Sequence, residues 1–372
     1  MTSTATSTAG YQPEQVWLPA SEQLLEWDEG FHDLLLGDEV RMTAFRTAIA
    51  EAVRPGMTVL DLGTGTGILA LWALQAGAKR VYGIDLNASV LQTATERVVA
   101  AGYGERFSPI HGVSFDVSLP ERVDLVVSEI MGNLADNEGF VAILADVRQR
   151  LLADGGLMVP SRVESYLVPV AAEQAHEQVS RGDPVDAGGP VPFAERLRRR
   201  GARSPFDLYY DVIIPVCTYL ATPRVARLYN FAAPDCIPPA AAAYRVPLAY
   251  TACRDGILTG FKGYFVATLS DTVALDISGD DIAGRATSDS WKHCYLPIAE
   301  PVPVRRGDRI GLTFSRSCPD EATGVFRQSY QWEGQVISQG TPVARFTQST
   351  AEASQDVLGP VKQRSVLTNE TS

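Results

Sequence analysis

The chain has 372 residues, long for a single hydrophobic core, so two domains are expected. Hydrophobic residues at 45% and charged residues at 20% fit a folded globular protein, and no apolar run reaches the roughly 20 residues that span a bilayer. A net charge of −12 argues against a nucleic-acid surface and favours cationic ligands, weakly and subject to salt screening.

Residues 1–30 begin Met-Thr-Ser-Thr-Ala-Thr, with neither a basic start nor an apolar segment. They read as a partly disordered lead-in and not as a secretory signal. The five cysteines (Cys217, Cys236, Cys253, Cys294, Cys318) are odd in number, widely spaced and without a CxxC pair. Structural zinc and a disulfide framework are therefore not expected, in keeping with a reducing cytoplasm.

From Val53 to about Val168, short apolar runs alternate with helical stretches. Met57 to Asp61, Arg80 to Asp85 and Arg122 to Ser128 read as strands. Ile68 to Leu74, Ala88 to Ala101 and Phe140 to Leu152 read as the helices between and after them. That alternation implies parallel strands with crossover helices. The pattern then changes. A Gly/Pro-rich insert, Gly182 to Pro192, precedes a basic stretch with Arg196, Arg198, Arg199, Arg200 and Arg203, read as a solvated helix face or loop. After Pro205 come β-branched and aromatic runs such as Phe261 to Leu269, Thr272 to Ile277 and Arg309 to Phe314. These predict an antiparallel β domain, with the boundary near Pro160. Polar residues 349–372 read as a frayed tail.

Two motifs carry the chemistry. Asp61-Leu62-Gly63-Thr64-Gly65-Thr66-Gly67 ends a strand and opens a helix, and its glycines let the backbone approach a ligand closely. Asp85 closes the next strand, where a carboxylate can accept both ribose hydroxyls. A pyrophosphate would favour G-x-G-x-x-G on a helix N-terminus. The G-x-G-x-G spacing instead resembles the first motif of Rossmann-like methyltransferases and suits S-adenosyl-L-methionine. The second motif runs from Glu129 to Glu138, nine positions on, after an apolar strand. If the intervening loop is compact, the two carboxylates face each other and clamp a planar guanidinium. Methyl transfer brings a cationic sulfonium against a cationic guanidinium, and two negative charges offset that repulsion. Glu129 and Glu138 are accordingly the candidate catalytic pair.

The order and spacing of these motifs resemble the protein arginine methyltransferase family, type I-like, over roughly residues 31 to 340. Phe31-His32-Asp33-Leu34-Leu35-Leu36-Gly37-Asp38-Glu39-Val40-Arg41 resembles the segment before the family's first strand. The resemblance implies that His32 and Arg41 contact the cofactor, Arg41 through its carboxylate. Ser114 and Phe115 match the adenine-lining segment, with Phe115 standing where the family usually has an acid. Asp61, Gly63, Thr64, Gly65, Gly67 and Asp85 complete the implied cofactor set. Val159-Pro160-Ser161 matches a domain junction that often holds a cis proline. Ser290-Trp291-Lys292-His293-Cys294-Tyr295-Leu296 resembles the loop that the family's β-barrel adds to the active site. Met131, Ser290 and Trp291 are thus candidate substrate neighbours.

The resemblance implies a Rossmann-like domain at 31–160 and a β-barrel substrate domain at 161–348. It also implies a dimerisation arm at about 172–212, hence a homodimer. Two departures stand out. The aromatic Tyr-Phe-x-x-Tyr motif that covers the family's cofactor falls at Glu22 to Glu26, where no tyrosine stands, leaving Trp27, Trp17 or Tyr11 as candidate covers. The family's Thr-His-Trp is here Asp289-Ser290-Trp291, so the histidine that pairs with the acid matching Asp38 is missing.

The expected function is S-adenosylmethionine-dependent N-methylation of a guanidino group, without a metal. Its acceptor would be free L-arginine or a guanidino metabolite of specialised biosynthesis. Protein arginine methylation on Arg/Gly-rich segments is one alternative, and a catalytically silent methyltransferase-like binding protein is the other. The rebuilt substrate mouth favours the small acceptor. The four retained acids, Asp61, Asp85, Glu129 and Glu138, favour catalysis over silence.

Overall fold

A computed structural model describes residues 13–19, 36–136, 139–182, 197, 202–233, 243–279, 291–317 and 329–350. Its first elements are a two-residue strand, β1 (Val16–Trp17), and a helix, α1 (Glu39–Ala52). Asp38 caps α1: its Oδ1 accepts from the backbone N–H groups of Val40 and Arg41, satisfying donors that the first helical turn leaves open.

A five-stranded parallel sheet follows. It comprises β2 (Thr58–Leu62), β3 (Arg80–Asp85), β4 (Phe107–His111), β5 (Val123–Ser128) and β6 (Leu152–Val159), in the spatial order β4-β3-β2-β5-β6. The helices α2 (Ile68–Gln75), α3 (Ala88–Ala100) and α4 (Phe140–Arg150) connect them. Every residue of β2 is buried, as a central strand covered on both faces must be. The strand order reverses between β2 and β5, so the crevice beyond their carboxyl ends is the natural place for a ligand.

The strands and helices expected from periodicity are present. Two further strands, β4 and β6, were not marked by an apolar run, for physical reasons. β4 lies at a sheet edge, where Pro109 is tolerated, and β6 contains Gly155 and Gly156 with several exposed positions.

Beyond the cis Val159–Pro160 peptide the chain is antiparallel. One sheet runs β1-β8-β13-β11-β7-β9 and holds β7 (Arg162–Val170), β8 (Tyr210–Val212), β9 (Arg224–Asn230), β11 (Gly256–Thr268) and β13 (His293–Val304). A short strand, β12 (Ala274–Asp276), pairs with β11. The other sheet runs β10-β14-β15-β16, through β10 (Tyr244–Thr251), β14 (Arg309–Ser317), β15 (Ser329–Ser338) and β16 (Thr341–Ser349). Phe261 and Leu296 of the first sheet share a core with Phe314, Trp332 and Val336 of the second. Trp332 Nε1 donates across that core to the Pro297 carbonyl at 2.7 Å. The two sheets realise the expected barrel.

Two described elements fall at the ends of the expected arm. Helix α5 (Glu173–Arg181), at the start of the expected arm, packs on the barrel, with His176 Nε2 2.9 Å from the Ile298 carbonyl. At the arm's other end, β8 is a fully buried strand hydrogen-bonded between β1 and β13. Residues 183–196 and 198–201, most of the arm between these elements, lie outside the described residues. The lead-in also contributes to the fold. Val16 pairs with Val212, and the Glu14 carboxylate accepts from the N–H groups of Gln174 and Ala175 at the start of α5.

Candidate active site

The nucleotide-type loop sits where β2 passes into α2. Gly63 and Gly67 have φ of 71° and 79°, a region that side chains disfavour. Space excludes a side chain as well: a Cβ on Gly63 would come 2.6 Å from Ile130 Cγ2, and one on Gly67 would come 2.8 Å from Ala94 Cβ. Hydrogen bonds hold the loop in shape. Thr64 Oγ1 donates to Asp61 Oδ2 at 2.6 Å, Ala70 N–H donates to the same oxygen, and Arg97 Nη1 donates to the Thr66 carbonyl at 2.8 Å.

Asp85 closes β3 and faces this loop. Its Oδ2 accepts from Gly65 N–H and its Oδ1 from Asn87 N–H, both at 2.8 Å. The carboxylate is thereby fixed with both oxygens oriented. Asp61 is fully buried, and among the described residues no group donates to its Oδ1. Burial pushes the Asp61 carboxyl up to about 7, against the hydrogen bonds from Thr64 and Ala70 that pull it down. A buried carboxylate oxygen lacking a donor fits a cationic ammonium group, such as the amino-acid end of S-adenosylmethionine. Further out, Ser114 is buried in a short turn held by Arg150, whose Nη2 donates to the Ser114 carbonyl at 2.8 Å. The neighbouring Phe115 is 38% exposed, an apolar face available to a base.

Glu129 stands just beyond β5, beside the loop. At this end of the sheet Leu62 pairs with Ser128, and Ser128 Oγ donates to the Leu62 carbonyl at 2.9 Å. The Glu129 side chain is only 9% exposed and its Oε2 forms an ion pair with Arg41 Nη2. The Arg41 guanidinium in turn lies 4.8 Å from the Trp291 ring centroid. Trp291 Nε1 donates to the Met131 carbonyl at 2.7 Å. Residues from α1, the end of β5 and the start of β13 therefore meet in one buried cluster, Arg41–Glu129–Trp291–Met131.

The sequence resemblance assigns Arg41 to a cofactor carboxylate. In the structure Arg41 forms an ion pair with Glu129. Three further expected site residues, His32, Glu138 and Ser290, lie outside the described residues. No cluster of histidine, cysteine, aspartate or glutamate suited to a metal occurs among the described residues.

The polar network of the loop after Glu129 was not legible beforehand. Asn133 Nδ2 donates to Asp211 Oδ1 on β8, and Ser165 Oγ on β7 donates to the Leu134 carbonyl at 3.0 Å. Asp136 accepts from three tyrosines on three barrel strands. An aspartate followed two residues later by a glutamate carries no signal that would point to such partners.

Comparison with known proteins agrees with this geometry. Residues 162–344 match the model of the PRMT5 oligomerisation domain, and residues 45–163 match that of ribosomal protein L11 methyltransferase. A ribosomal protein arginine N-methyltransferase of Schizosaccharomyces pombe is 28% identical over 77% of this chain and 52% of its own length. An arginine N(omega)-methyltransferase of Streptomyces achromogenes is 27% identical over 76% of this chain and 74% of its own. The chain spans 33% to 52% of the length of the first curated relatives that it matches, the Schizosaccharomyces pombe enzyme among them. A solved Trypanosoma brucei PRMT1 enzyme-prozyme complex with AdoHcy shares the fold. It has a TM-score of 0.70 and 22% identity, covering 87% of this chain and 98% of that one. The match to the PRMT5 oligomerisation domain, the arginine methyltransferase relatives and the order of the motifs identify this chain as a member of the protein arginine methyltransferase family.

Proposed function

We propose that this chain is an S-adenosylmethionine-dependent N-methyltransferase whose acceptor is the guanidino group of free L-arginine or of a related metabolite. The observation that carries the reading is Glu129, a buried carboxylate already ion-paired with a guanidinium, that of Arg41, at the switch point of the sheet. A site that holds one guanidinium on this carboxylate has the charge and hydrogen-bond geometry to hold another.

The cofactor's place follows from the donor set. Asp85 would hold the ribose hydroxyls, Asp61 the ammonium group, Arg41 the carboxylate, and Phe115 with Ser114 the base, while the backbone of Gly63 to Gly67 would form the floor. His32 completes the set in the family pattern. When bound, S-adenosylmethionine supplies an electrophilic methyl group on a cationic sulfonium. Glu129 and Glu138 then orient the acceptor so that a guanidino nitrogen presents its lone pair along the line of attack. Their charge would offset the repulsion between the two cations. On transfer the methyl group would pass to the guanidino nitrogen, the bonding electron pair would remain on the sulfur, and the nitrogen's proton would leave to solvent water.

Two observations favour a small acceptor. The histidine of the family's barrel loop is Ser290 here, and Asp38, the acid it would pair with, serves as the N-cap of α1. The Streptomyces relative, aligned over most of both chains, is named for arginine and not for protein arginine. We place the enzyme in the cytoplasm as a homodimer, with the residues 172–212 region contributing the arm. A wild-type chain that sediments as a monomer at micromolar concentration would refute the dimer.

The function is tested by supplying labelled S-adenosylmethionine with either free arginine or an Arg/Gly-rich peptide. Free arginine is expected to have the higher kcat/KM. A peptide preferred by tenfold, about 1.4 kcal/mol in transition-state binding, would overturn the small-acceptor reading. Methyl transfer to neither would overturn the enzyme reading itself.

A further inference from the structure

The loop after Glu129 issues from the parallel sheet, yet its most heavily bonded side chain, Asp136, is held by the barrel. Asp136 has no exposed surface. Its Oδ2 accepts from Tyr229 Oη at 3.0 Å and Tyr244 Oη at 2.6 Å, and its Oδ1 accepts from Tyr330 Oη at 2.6 Å. Arg316 donates from Nη2 to the Asp136 carbonyl at 3.0 Å and brings its Nε within 3.8 Å of Oδ2. The tyrosines come from β9, β10 and β15, so both antiparallel sheets contribute.

A buried carboxylate is tolerable only where donors satisfy it, and here every donor is rigidly mounted on a strand. Displacing the loop would strip several of these bonds at once, so the site of Asp136 is stiff. The residue just before it supports this reading. Ala135 has φ of 65°, a left-handed conformation that a non-glycine residue keeps only when its surroundings over-determine it. Ala135 N–H donates to the Gly132 carbonyl and Asp136 N–H to the Leu134 carbonyl, both at 2.8 Å, closing a tight turn. Burial, and then the neighbouring Asp136 charge, raise all three tyrosines well above their ordinary value, so their hydroxyls stay protonated as donors.

We infer that Asp136 is a positioning residue for methyl transfer: pinned by three tyrosines and Arg316, it fixes the far end of the loop that begins at Glu129. This role rests on the function proposed above. The barrel then does more than wall the substrate mouth, because it holds the loop that carries Glu129.

The test compares Asp136→Asn, Tyr244→Phe and the double variant Tyr244→Phe/Tyr330→Phe with the wild type. It measures kcat and KM for the better acceptor, cofactor affinity by calorimetry and the thermal midpoint. A mispositioned Glu129 should lower kcat by at least tenfold in Asp136→Asn, and progressively with each tyrosine hydroxyl removed. Cofactor affinity should stay within about twofold, since the Asp61 and Asp85 loops are untouched. A purely structural pin predicts lower thermal midpoints with kcat per folded enzyme unchanged, and that result overturns the inference. Should Asp136→Asn not fold, Tyr244→Phe decides by the same criteria, because it deletes one hydroxyl from a half-buried ring. A wild-type chain inactive on both arginine and peptide would instead overturn the function, and this inference with it.

Discussion

Arg41 and Glu129 form a buried ion pair that joins the first turn of α1 to the end of β5. Each has a second expected partner: a cofactor carboxylate for Arg41 and a substrate guanidinium for Glu129. The two ligands are thereby coupled. A carboxylate reaching Arg41 weakens its hold on Glu129, which becomes more available to the incoming guanidinium. Coupling of this kind is reciprocal in free energy. Arginine should therefore bind at least about tenfold more tightly with S-adenosylhomocysteine present than without it, a coupling of about 1.4 kcal/mol. Calorimetric titrations of arginine that give equal affinities in both conditions would dissolve the link.

Trp291 braces the same pair from the barrel side. Its indole lies against the Arg41 guanidinium and its Nε1 donates to the Met131 carbonyl. Trp291→Phe keeps an aromatic face but leaves that buried carbonyl without its indole donor, at a cost of about 1–3 kcal/mol. Urea denaturation should register the loss, and turnover should fall with it because Arg41 loses its best support. Equal stability and equal turnover in the variant would mean that the indole bond carries no weight.

The parts of this site that were legible in the sequence are those encoded locally. The cofactor loop needs glycines at fixed offsets from a strand, and the structure shows why: Gly63 and Gly67 combine positive φ with close approach to Ile130 and Ala94. Fully buried parallel strands such as β2 also announce themselves as apolar runs. What stayed hidden depends on long-range pairing. The tyrosines on Asp136 lie 93, 108 and 194 residues away, and nothing in the loop's own composition selects them. The Arg41–Glu129 pair was hidden differently, since each residue already had a ligand assigned and neither pointed to the other. Trp17 drew attention only as a candidate cover for the cofactor, and its strand with Val16 was hidden because two residues have no period to detect.

Asp61 is expected to give the cofactor site a pH dependence. Its carboxyl is raised from 3.8 to about 7 in the folded chain, chiefly by burial. Between these values the native state holds a proton that the unfolded state has lost. Stability therefore falls as pH rises through that window, with the loss complete above about 7. Cofactor binding runs the other way, because an ammonium group favours the ionised carboxylate. From pH 6 to pH 8 the affinity for S-adenosylhomocysteine should rise by about tenfold, following the ionised fraction of a group titrating near 7. Asp61→Asn should flatten the profile. A wild-type profile that is already flat would remove Asp61 from contact with the ammonium group.

The clamp is the claim on which the chemistry rests. Glu129→Gln and Glu138→Gln each keep the size of the side chain and remove one negative charge. Neither carboxylate is assigned to the cofactor, so its affinity should change little. In Glu129→Gln it should even tighten slightly, because Arg41 loses the carboxylate that competes for it. The acceptor is affected differently. Losing one charged partner of a desolvated guanidinium costs roughly 2–5 kcal/mol, which corresponds to at least about a hundredfold in turnover at the middle of that range. Single-turnover rates with saturating cofactor separate this loss from product release. If both variants transfer methyl groups at near wild-type rates, the guanidinium is not held between Glu129 and Glu138. The buried Arg41–Glu129 pair would then be a structural bond between α1 and the sheet, and the acceptor would have to be bound elsewhere.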